Sequence, residues 1–321
     1  MRFATPLKGT LVPRPLLVAD DTTSRRNLYR LPGTPWQPTR HARALCLSAL
    51  LLAVPLDQQP PPAAAVAGPD HIPLAVSDLD GAVAKYRTLG FAIKPGRHHA
   101  NGIRNAHVKF PDGSGIELIT ADKAADDLTA RYVDFLTHGD GPAFLALRAP
   151  DTGRLAAALR GGYALSHDGE VVNVLEPTLD YLFFVRGNRS PTDRPEHFAH
   201  PNGASALRSV WIATEAGATL ERFLVGLGGT SARRWVRAPD LAEARVVSFD
   251  AGDVVILPAI HRLDASRPII GASVKVASLD AAGRQRSRNG VVGRLETGPP
   301  RRLVLPPRDT CGLWMEFRES R

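Results

Sequence analysis

One pattern recurs along this chain from Asp70 onward, and it constrains the fold more than any other feature. Each copy has a short strand of alternating apolar residues, then a helix, then three further strands. The first copy is the clearest, because Ile72, Leu74 and Val76 alternate as in a half-buried strand and Gly90 ends an apolar helical pattern. Repetition on this scale predicts an α+β fold of about four βαβββ modules.

Three weaker copies follow the first one. The second begins at Pro142, the third near Leu207, and the fourth, which is degraded, at Ile269. A polar stretch with several prolines separates the second copy from the third, as expected of a linker. These boundaries predict four segments: a disordered leader at 1–67, a first module pair at 68–187, a linker at 188–204 and a degenerate module pair at 205–321.

Charge is spread unevenly along the chain. The 321 residues carry 40 Lys+Arg and 32 Asp+Glu, a formal net charge of +8 that first suggests a nucleic-acid partner. Eight of those bases and three of those acids lie within residues 1–67, so most of the surplus belongs to the leader. Seven arginines lie between 284 and 308 without interleaved aromatic residues. This pattern predicts a loop face exposed to solvent. We therefore expect no nucleic-acid partner.

The leader contains the parts of a secretory signal peptide. Basic residues at 40–43 precede an apolar run at 44–56, and Ala65-Val66-Ala67 offers a cleavage site before Gly68. The run is too short for a stable membrane span, yet it starts late for a signal of about 15–30 residues. The expectation is export to the periplasm or the medium if this segment functions, and a cytoplasmic protein with a disordered apolar patch otherwise.

Cysteine usage narrows the kinds of site available. The chain has only Cys46 and Cys311, which excludes a disulfide framework and a four-cysteine zinc site. Cys46 precedes the apolar run of the leader and so does not sit where a lipoprotein cysteine would. Cys311 is expected to be a buried, inert thiol.

The first copy contains a set of short motifs: Asp70-His71-Ile72, Asp78-Leu79-Asp80, Leu89-Gly90-Phe91, Asn105-Ala106 and Ile116-Glu117-Leu118-Ile119. Together they resemble the glyoxalase-like branch of the vicinal oxygen chelate superfamily. The resemblance covers about residues 70–120 and falls to a pattern match over the rest. It implies paired modules that curl into cup-shaped mixed sheets with helices outside, and commonly a metal inside the cup.

The resemblance implies that His71 and Glu117, on the first and last strands of a module, are metal ligands, with Glu117 also catalytic. Strand alternation is compatible, since it places His71 opposite the apolar face of its strand and Glu117 opposite Ile116 and Leu118. An imidazole and a carboxylate suit a divalent ion such as Zn, Fe, Mn, Ni or Co. Two ligands do not complete a catalytic site, however, because three protein ligands are usual.

Other interpretations of this pair stay open. His71 could be a structural residue hydrogen-bonded to Asp70, and Glu117 could form an ion pair with Arg104 or Lys109. The two could also line a metal-free polar pocket. Candidate substrate-binding residues nearby are His98 and His99, whose loop should border the cup, and Asn105; His107 is a further histidine of the same module.

The later copies lack the matching ligands. Alignment on the apolar faces puts Phe144 and Phe183 in the second module where the first has His71 and Glu117. In the third module the first-strand position is Arg208 or Ser209, and in the fourth it is near Gly271. Only Glu316 keeps a last-strand carboxylate, which we expect to be structural. The His-His-Glu set of extradiol dioxygenases in this superfamily is thus incomplete, which disfavours a ring-cleaving dioxygenase.

Two classes of function remain. The intact first pair favours a metal-dependent lyase, isomerase or oxygenase acting on a small oxygen-rich molecule. The missing second pair favours a metal-free protein that binds and sequesters a small molecule, as the antibiotic-binding members of the superfamily do. Both classes predict a small-molecule partner, and a homodimer is left open.

Overall fold

The computed structural model describes residues 66–290, 293–298 and 300–319, apart from the side chains of 286–288. The expected leader and its signal-like segment therefore lie outside the described residues, except for Val66 and Ala67. Among the described helices, none is long and apolar enough to cross a membrane.

Residues 68–185 form the first of two mixed sheets. Its strands follow the order β2-β3-β4-β1-β6-β9-β8-β7, and β5 pairs with β1. Three helices belong to the same stretch of chain. The elements are β1 (Gly68–Ala75), α1 (Leu79–Thr88), β2 (Lys94–His98), β3 (Ile103–Lys109), β4 (Gly115–Ala121), α2 (Asp127–Leu136), β5 (Gly141–Pro142), β6 (Leu145–Arg148), α3 (Thr152–Leu159), β7 (Leu165–His167), β8 (Val171–Val174) and β9 (Leu182–Val185).

Residues 204–319 form the second sheet in the same arrangement. Its strands follow the order β11-β12-β13-β10-β14-β17-β16-β15, which repeats the order of the first sheet. This repetition confirms the expected fold of repeated modules in paired mixed sheets. The elements are β10 (Ala204–Ala213), α4 (Gly217–Gly226), β11 (Thr230–Arg237), β12 (Leu241–Phe249), β13 (Gly252–Leu257), β14 (Ile269–Val276), α5 (Leu279–Arg288), β15 (Arg294–Glu296), β16 (Arg302–Leu305) and β17 (Trp314–Glu319).

Local chemistry explains why the first module begins as it does. Asp78 caps α1, because its carboxylate accepts a hydrogen bond from the amide of Gly81 at 3.0 Å. The chain leaves the helix through Gly90, whose φ of 84° lies in the left-handed region that glycine adopts without strain. The "LGF" turn thus reverses the chain towards β2.

The helix α2 is the main element that the module pattern did not predict. Asp126 caps this helix, and its carboxylate accepts a hydrogen bond from the amide of Thr129 at 2.8 Å. Tyr132 then packs edge-on against Phe144, with 5.3 Å between the ring centroids. Because α2 lies between the first and second modules, it follows no βαβββ repeat and has no counterpart in the pattern.

The main apolar core joins the helices to one face of each sheet. It contains Ile72 and Ile116 of the first sheet, Val210 and Val274 of the second, and Tyr86 of α1. The opposite face of each sheet, turned away from α1, α3, α4 and α5, is called the inner face below. Side chains alternate across a strand, so residues neighbouring the core positions lie on the inner face.

His200 ties the expected linker to the first sheet. Its Nδ1 accepts a hydrogen bond from the amide of Ala92 at 3.0 Å, and its Nε2 lies 3.0 Å from the carbonyl oxygen of Lys109. A carbonyl only accepts, so the ring is neutral with its proton on Nε2. The rings of Phe91 and Phe110 pack edge-on against it. Burial lowers the pKa of His200, and the bond to Lys109 opposes this effect.

Asp193, in the same linker segment, forms ion pairs with two lysines of the first sheet. Its carboxylate lies 2.6 Å from the Lys94 ammonium and 2.8 Å from that of Lys109. Burial alone would raise the pKa of Asp193, but the hydrogen bonds from Lys109 and Lys94 outweigh it and hold that pKa well below its usual range. The linker is therefore anchored to β2 and β3 by two ion pairs.

Acid should weaken the fold through His200. Because the folded protein disfavours protonation of this ring, the unfolded chain takes up the proton first as the pH falls below about 6.5, and stability drops by at most about 1.4 kcal/mol per pH unit. The loss should level off below the lowered folded-state pKa. Urea unfolding between pH 8 and 5 should show a shallower decline for His200→Gln than for the wild type; equal slopes would contradict this assignment.

Candidate functional site

The register of two parallel strands brings His71 and Glu117 together. Pro73 of β1 pairs with Glu117 of β4, and His71 lies two residues before Pro73 on the same face. The His71 Nε2 lies 3.6 Å from Glu117 Oε2, and the two side chains are 11% and 16% exposed. The first and last strands of the module thus place an imidazole and a carboxylate side by side on the inner face.

Asp70 orients the His71 ring. Pairing between β1 and β6 shifts register between Pro69 and His71, an irregularity of the kind that redirects side chains. The Asp70 carboxylate then lies 2.8 Å from His71 Nδ1 and accepts a hydrogen bond from Arg148 Nε at 2.9 Å. Asp70 is fully buried, so the guanidinium compensates its charge. The expected contact between His71 and Asp70 is present, and it leaves Nε2 pointing towards Glu117.

Asn105 holds the carboxylate of Glu117. Its Nδ2 donates to Glu117 Oε1 at 2.7 Å, and its Oδ1 accepts from the amide of Arg97 at 3.0 Å. The suggested ion pairs of Glu117 with Arg104 or Lys109 are wrong. Arg104 pairs with Asp122, since strand alternation puts it on the face of β3 opposite to Asn105, and Lys109 pairs with Asp193.

His107 belongs to the same group of side chains. It pairs directly with Glu117 in the antiparallel ladder of β3 and β4, so both residues share the inner face. Burial lowers the pKa of His107, Glu117 raises it, and His71 lowers it again. The result is a ring kept neutral beside a His–Glu pair.

The hydrogen bonds of the pair leave one atom of each side chain without a hydrogen-bond partner among the described residues. His71 Nδ1 lies 2.8 Å from Asp70 and Glu117 Oε1 accepts from Asn105, so His71 Nε2 and Glu117 Oε2 face each other. Their gap of 3.6 Å is too long for a hydrogen bond. An imidazole nitrogen without a proton and a carboxylate oxygen are both acceptors, and a cation between them would satisfy both.

The second module supplies aromatic rings at the equivalent positions. Ala146 pairs with Phe183 as Pro73 pairs with Glu117, and Phe144 lies two residues before Ala146. The Phe183 ring packs edge-on against His71 at 5.6 Å, and Phe144 packs edge-on against Phe183 at 6.5 Å. Phe144 and Phe183 therefore form an apolar wall beside the His–Glu pair.

The side chains of the loop histidines form no hydrogen bond or ion pair with this group among the described residues. His98 is exposed at the end of β2, opposite Arg104. His99 follows it and is half-buried, and its Nε2 is buried without a hydrogen-bond partner among the described residues. Their role in substrate binding stays a prediction.

In the second sheet, a network of ion pairs occupies the corresponding position. Ser273 pairs with Glu316 as Pro73 pairs with Glu117, which makes Glu316 the counterpart of Glu117. Glu316 is fully buried, and its oxygens accept from Arg302 Nη1 at 3.2 Å, from Arg318 Nε at 2.7 Å and from the hydroxyl of Ser273. These partners leave Glu316 in the structural role that the sequence suggested.

The expectation that the arginines between 284 and 308 lie on a solvated loop face is wrong for Arg302. Its side chain is 1% exposed, and it holds Glu296 through two hydrogen bonds of 2.7 and 3.0 Å. It also donates to the carbonyl oxygens of Arg237 and Pro239. A signal was present in the sequence, since Arg302 starts the strand "RLVL", in which Leu303 and Leu305 join the main core and Arg302 faces the other way.

Apolar side chains fill the rest of that inner face. A separate buried cluster there includes Trp211, Val246, Val255 and Leu257, with Trp314 packed against it. Ser209, two residues before Trp211, takes the place of His71 in the third module and accepts the indole N–H at 3.2 Å. The second inner face is thus packed with the chain's own side chains, and the first carries the candidate site.

Cys311 has the properties that the sequence predicts. Cys311 is buried, and burial raises its pKa to about 11, as expected of an inert thiol. Within the described part of the chain, no group of three His, Cys, Asp or Glu residues is arranged to hold a metal ion. Any ion held by His71 and Glu117 would therefore take its other ligands from water or substrate.

Comparison with known proteins gives one family match. A family model described as a glyoxalase-like domain matches residues 70–228, which include the whole His71–Glu117 site. No protein of curated function matches the sequence.

Several solved structures share the fold. A xylose isomerase-like TIM barrel/4-hydroxyphenylpyruvate dioxygenase fusion protein has a TM-score of 0.58 and 15% identity over 81% of this chain, and the chain spans 50% of that protein's length. A mutant of 4-hydroxymandelate synthase from Streptomyces coelicolor has a TM-score of 0.56 and 14% identity, and the match covers 78% of this chain and 93% of that one. A catechol 2,3-dioxygenase has a TM-score of 0.53 and 13% identity, and the match covers 79% of this chain and 93% of that one. Identities this low show the fold alone.

Breaking the buried ion pair of the second sheet should destabilise the protein strongly. Arg302→Met removes the buried guanidinium that Glu316 and Glu296 share, so we expect a loss of about 3–5 kcal/mol in the free energy of unfolding, measured by urea denaturation at pH 7. The exposed pair Arg301–Asp280, 2.6 Å apart, provides the control. Arg301→Ala should cost less than about 1 kcal/mol, and similar losses for both variants would contradict the buried network.

Proposed function

This chain belongs to the vicinal oxygen chelate superfamily, with a glyoxalase-like domain at residues 70–228, and we propose that it is a divalent-metal-dependent enzyme. The substrate class that we propose is a small oxygen-rich molecule, and the reaction class is that of a lyase, isomerase or oxygenase. The observation that carries the proposal is the geometry of the His71 imidazole and the Glu117 carboxylate, whose Nε2 and Oε2 face each other across 3.6 Å.

The donor set fits a divalent metal. Imidazole nitrogen and carboxylate oxygen bind such ions at about 2.0–2.2 Å, so two of these ligands on a tetrahedral ion lie about 3.4 Å apart. The observed 3.6 Å is close to that separation. Asp70 on Nδ1 is the carboxylate–histidine arrangement that commonly fixes the tautomer of a metal-binding ring. With two protein ligands, coordination positions remain for water and for neighbouring oxygens of a substrate.

Each neighbouring side chain has a task in this proposal. When bound, the metal would supply a Lewis acid that polarises substrate oxygens. Asp70 orients His71, and Asn105 fixes Glu117 through Oε1, which leaves Oε2 for the ion. His107, kept neutral by burial, can accept a proton from a substrate carbon or hydroxyl group. The rings of Phe183 and Phe144 keep water from one side of the site.

The substrate-binding residues proposed from the sequence take different tasks. Asn105 has both amide atoms engaged, so it acts through Glu117 rather than on the substrate. His99 has a buried Nε2 without a partner among the described residues, and we assign it a contact with the substrate. His98 is exposed next to it and would act at the rim.

A metal-free binding protein is the second candidate. The observation that favours it is the replacement of the second module's ligand positions by Phe144 and Phe183. Such a protein would hold an aromatic or amphipathic molecule against these rings, with His71 and Glu117 as polar contacts. Binding of a small molecule without bound metal would support this function over the enzyme.

The metal is directly testable on the full chain. After treatment with a chelator and titration with Zn²⁺, Mn²⁺ or Co²⁺, elemental analysis should find about one ion per chain, because the site offers one imidazole–carboxylate pair. His71→Ala and Glu117→Ala should each abolish stoichiometric binding. Thermal denaturation of each variant checks that it is folded.

Glu243→Gln, on the exposed side of β12, is the matched carboxylate control and should bind as the wild type does. Metal that stays below stoichiometry and is unchanged by either site substitution would sink the metalloenzyme proposal. The metal-free binder would then be the remaining function for this site.

Removing the charge of Asp70 should weaken the site without removing a ligand. In Asp70→Asn, the amide no longer holds the His71 ring in one tautomer, so we expect metal affinity to fall by about 10–100-fold. Competition with a chromophoric chelator measures the dissociation constant. Unchanged affinity in a folded variant would show that Asp70 serves only Arg148.

A further inference from the structure

A cavity bordered by Phe144 lies apart from the His71–Glu117 pair. Its volume is about 430 Å³, a size typical of small-molecule sites. It is bounded by α2, by the loop that precedes β9, by the residues that follow β10 and by the loop that precedes β14. Neither His71 nor Glu117 lines it. This region is called the α2 cavity below.

One guanidinium of the α2 cavity already has an acidic partner. Arg131 donates from Nη2 to the carbonyl oxygen of Asp180 at 2.9 Å and pairs with its carboxylate at 3.2 Å. The Arg131 guanidinium also lies 4.5 Å from the centre of the Phe144 ring. These contacts neutralise Arg131 and Asp180 together, so neither charge calls for a ligand.

The second guanidinium has no such partner. Arg262 donates from Nε to the carbonyl oxygen of Ala213 at 3.1 Å and from Nη1 to that of Ala265 at 3.2 Å. Two carbonyls hold the side chain in place without neutralising it. Arg262 forms no ion pair with a carboxylate among the described residues. Its positive charge and its remaining N–H groups are available to a bound anion.

Carboxylates without partners line the same cavity. Glu215 follows β10 two residues after Ala213, and Asp134 lies on α2. Within the described part of the chain, neither carboxylate forms an ion pair. Glu215 and Arg262 share one cavity and yet do not touch, so the space between them separates a positive group from a negative one.

Apolar and hydroxyl groups complete the cavity. Phe135 and Phe144 supply aromatic surface. Tyr181 is 7% exposed, and its hydroxyl has no hydrogen-bond partner among the described residues. Burial and the nearby charge of Asp180 raise the pKa of Tyr181, and Arg262 opposes this effect, so the hydroxyl stays a protonated, unsatisfied donor. Tyr181 and Arg262 line the same cavity.

We propose that the α2 cavity binds a small zwitterion, a molecule with a carboxylate, an ammonium group and an apolar side chain, as in an apolar α-amino acid. The carboxylate is held by Arg262 with the Tyr181 hydroxyl, the ammonium group by Glu215, and the apolar part by Phe135 and Phe144. A simple anion would be attracted by Arg262 but repelled by Glu215 and Asp134, and a simple cation would meet the reverse. A molecule with both charges can place each one beside the group that attracts it.

Three probes of one shape test this on the full chain by calorimetry. L-phenylalanine carries both charges, 3-phenylpropionate lacks the ammonium group, and phenethylamine lacks the carboxylate. We expect L-phenylalanine to bind at least tenfold more tightly than either of the others. Equal or weaker binding of L-phenylalanine would overturn the proposal, as would no binding of any probe at millimolar concentration.

Two substitutions separate the charges. Arg262→Gln should weaken L-phenylalanine and 3-phenylpropionate tenfold or more and spare phenethylamine, and Glu215→Gln should weaken L-phenylalanine and phenethylamine and spare 3-phenylpropionate. Arg222→Gln, at an exposed position on α4, is the control and should change nothing. If Arg262→Gln is unfolded, the Glu215→Gln pattern decides alone.

The same measurement separates this site from the proposed metal site. His71→Ala and Glu117→Ala should leave binding of L-phenylalanine intact, because neither residue lines the α2 cavity. Loss of binding in these variants would move the ligand to the metal site and overturn the proposal. Failure of metal binding, in turn, would leave the α2 cavity unaffected.

Discussion

Parallel pairing between the first and last strands of each module is the constraint on which the rest of the structure depends. In β1 and β4 this pairing sets Pro73 opposite Glu117, and strand alternation then puts His71 on the same face two residues earlier. The helix between the two strands covers the opposite face with apolar residues. In every module, side chains at the positions of His71 and Glu117 therefore lie next to each other on the inner face.

The two sheets solve the same electrostatic problem in different ways. A carboxylate taken out of water must be compensated by a cation or by donors. Glu316 is compensated within the chain, by Arg302, Arg318 and Ser273, and apolar side chains fill the space around it. Glu117 accepts a hydrogen bond from the Asn105 amide, is 16% exposed and lies 3.6 Å from His71 Nε2. The carboxylate of the second inner face is thus compensated by the chain's own side chains, whereas that of the first keeps one oxygen without a hydrogen bond from a described residue.

Aromatic residues divide the first inner face into two regions. Phe183 contacts His71, Phe144 contacts Phe183, and Phe144 also borders the α2 cavity. The aromatic residues at the equivalent positions of the second module therefore form a wall beside His71. Tyr132 holds that wall from α2, and Arg131 stacks on it one residue earlier.

Much of this architecture follows from sequence periodicity. Alternation at Ile72, Leu74 and Val76 and the turn at Gly90 are local signals, and they recur, so the module and its inner face could be predicted. For the same reason, Phe144 and Phe183 could be assigned to the positions of the second module that are equivalent to His71 and Glu117. The helix α2 could not, since it lies outside the repeat and its main anchor, the contact of Tyr132 with Phe144, joins residues of different segments.

The sequence by itself determined which residues lie on which face, because strand alternation is a local property of the backbone. Only the tertiary structure decided most of their partners. Glu117 accepts from Asn105 rather than pairing with Arg104 or Lys109, and Arg302 is buried against Glu316. These contacts depend on strand register, because they join residues of different strands, and no local pattern encodes them.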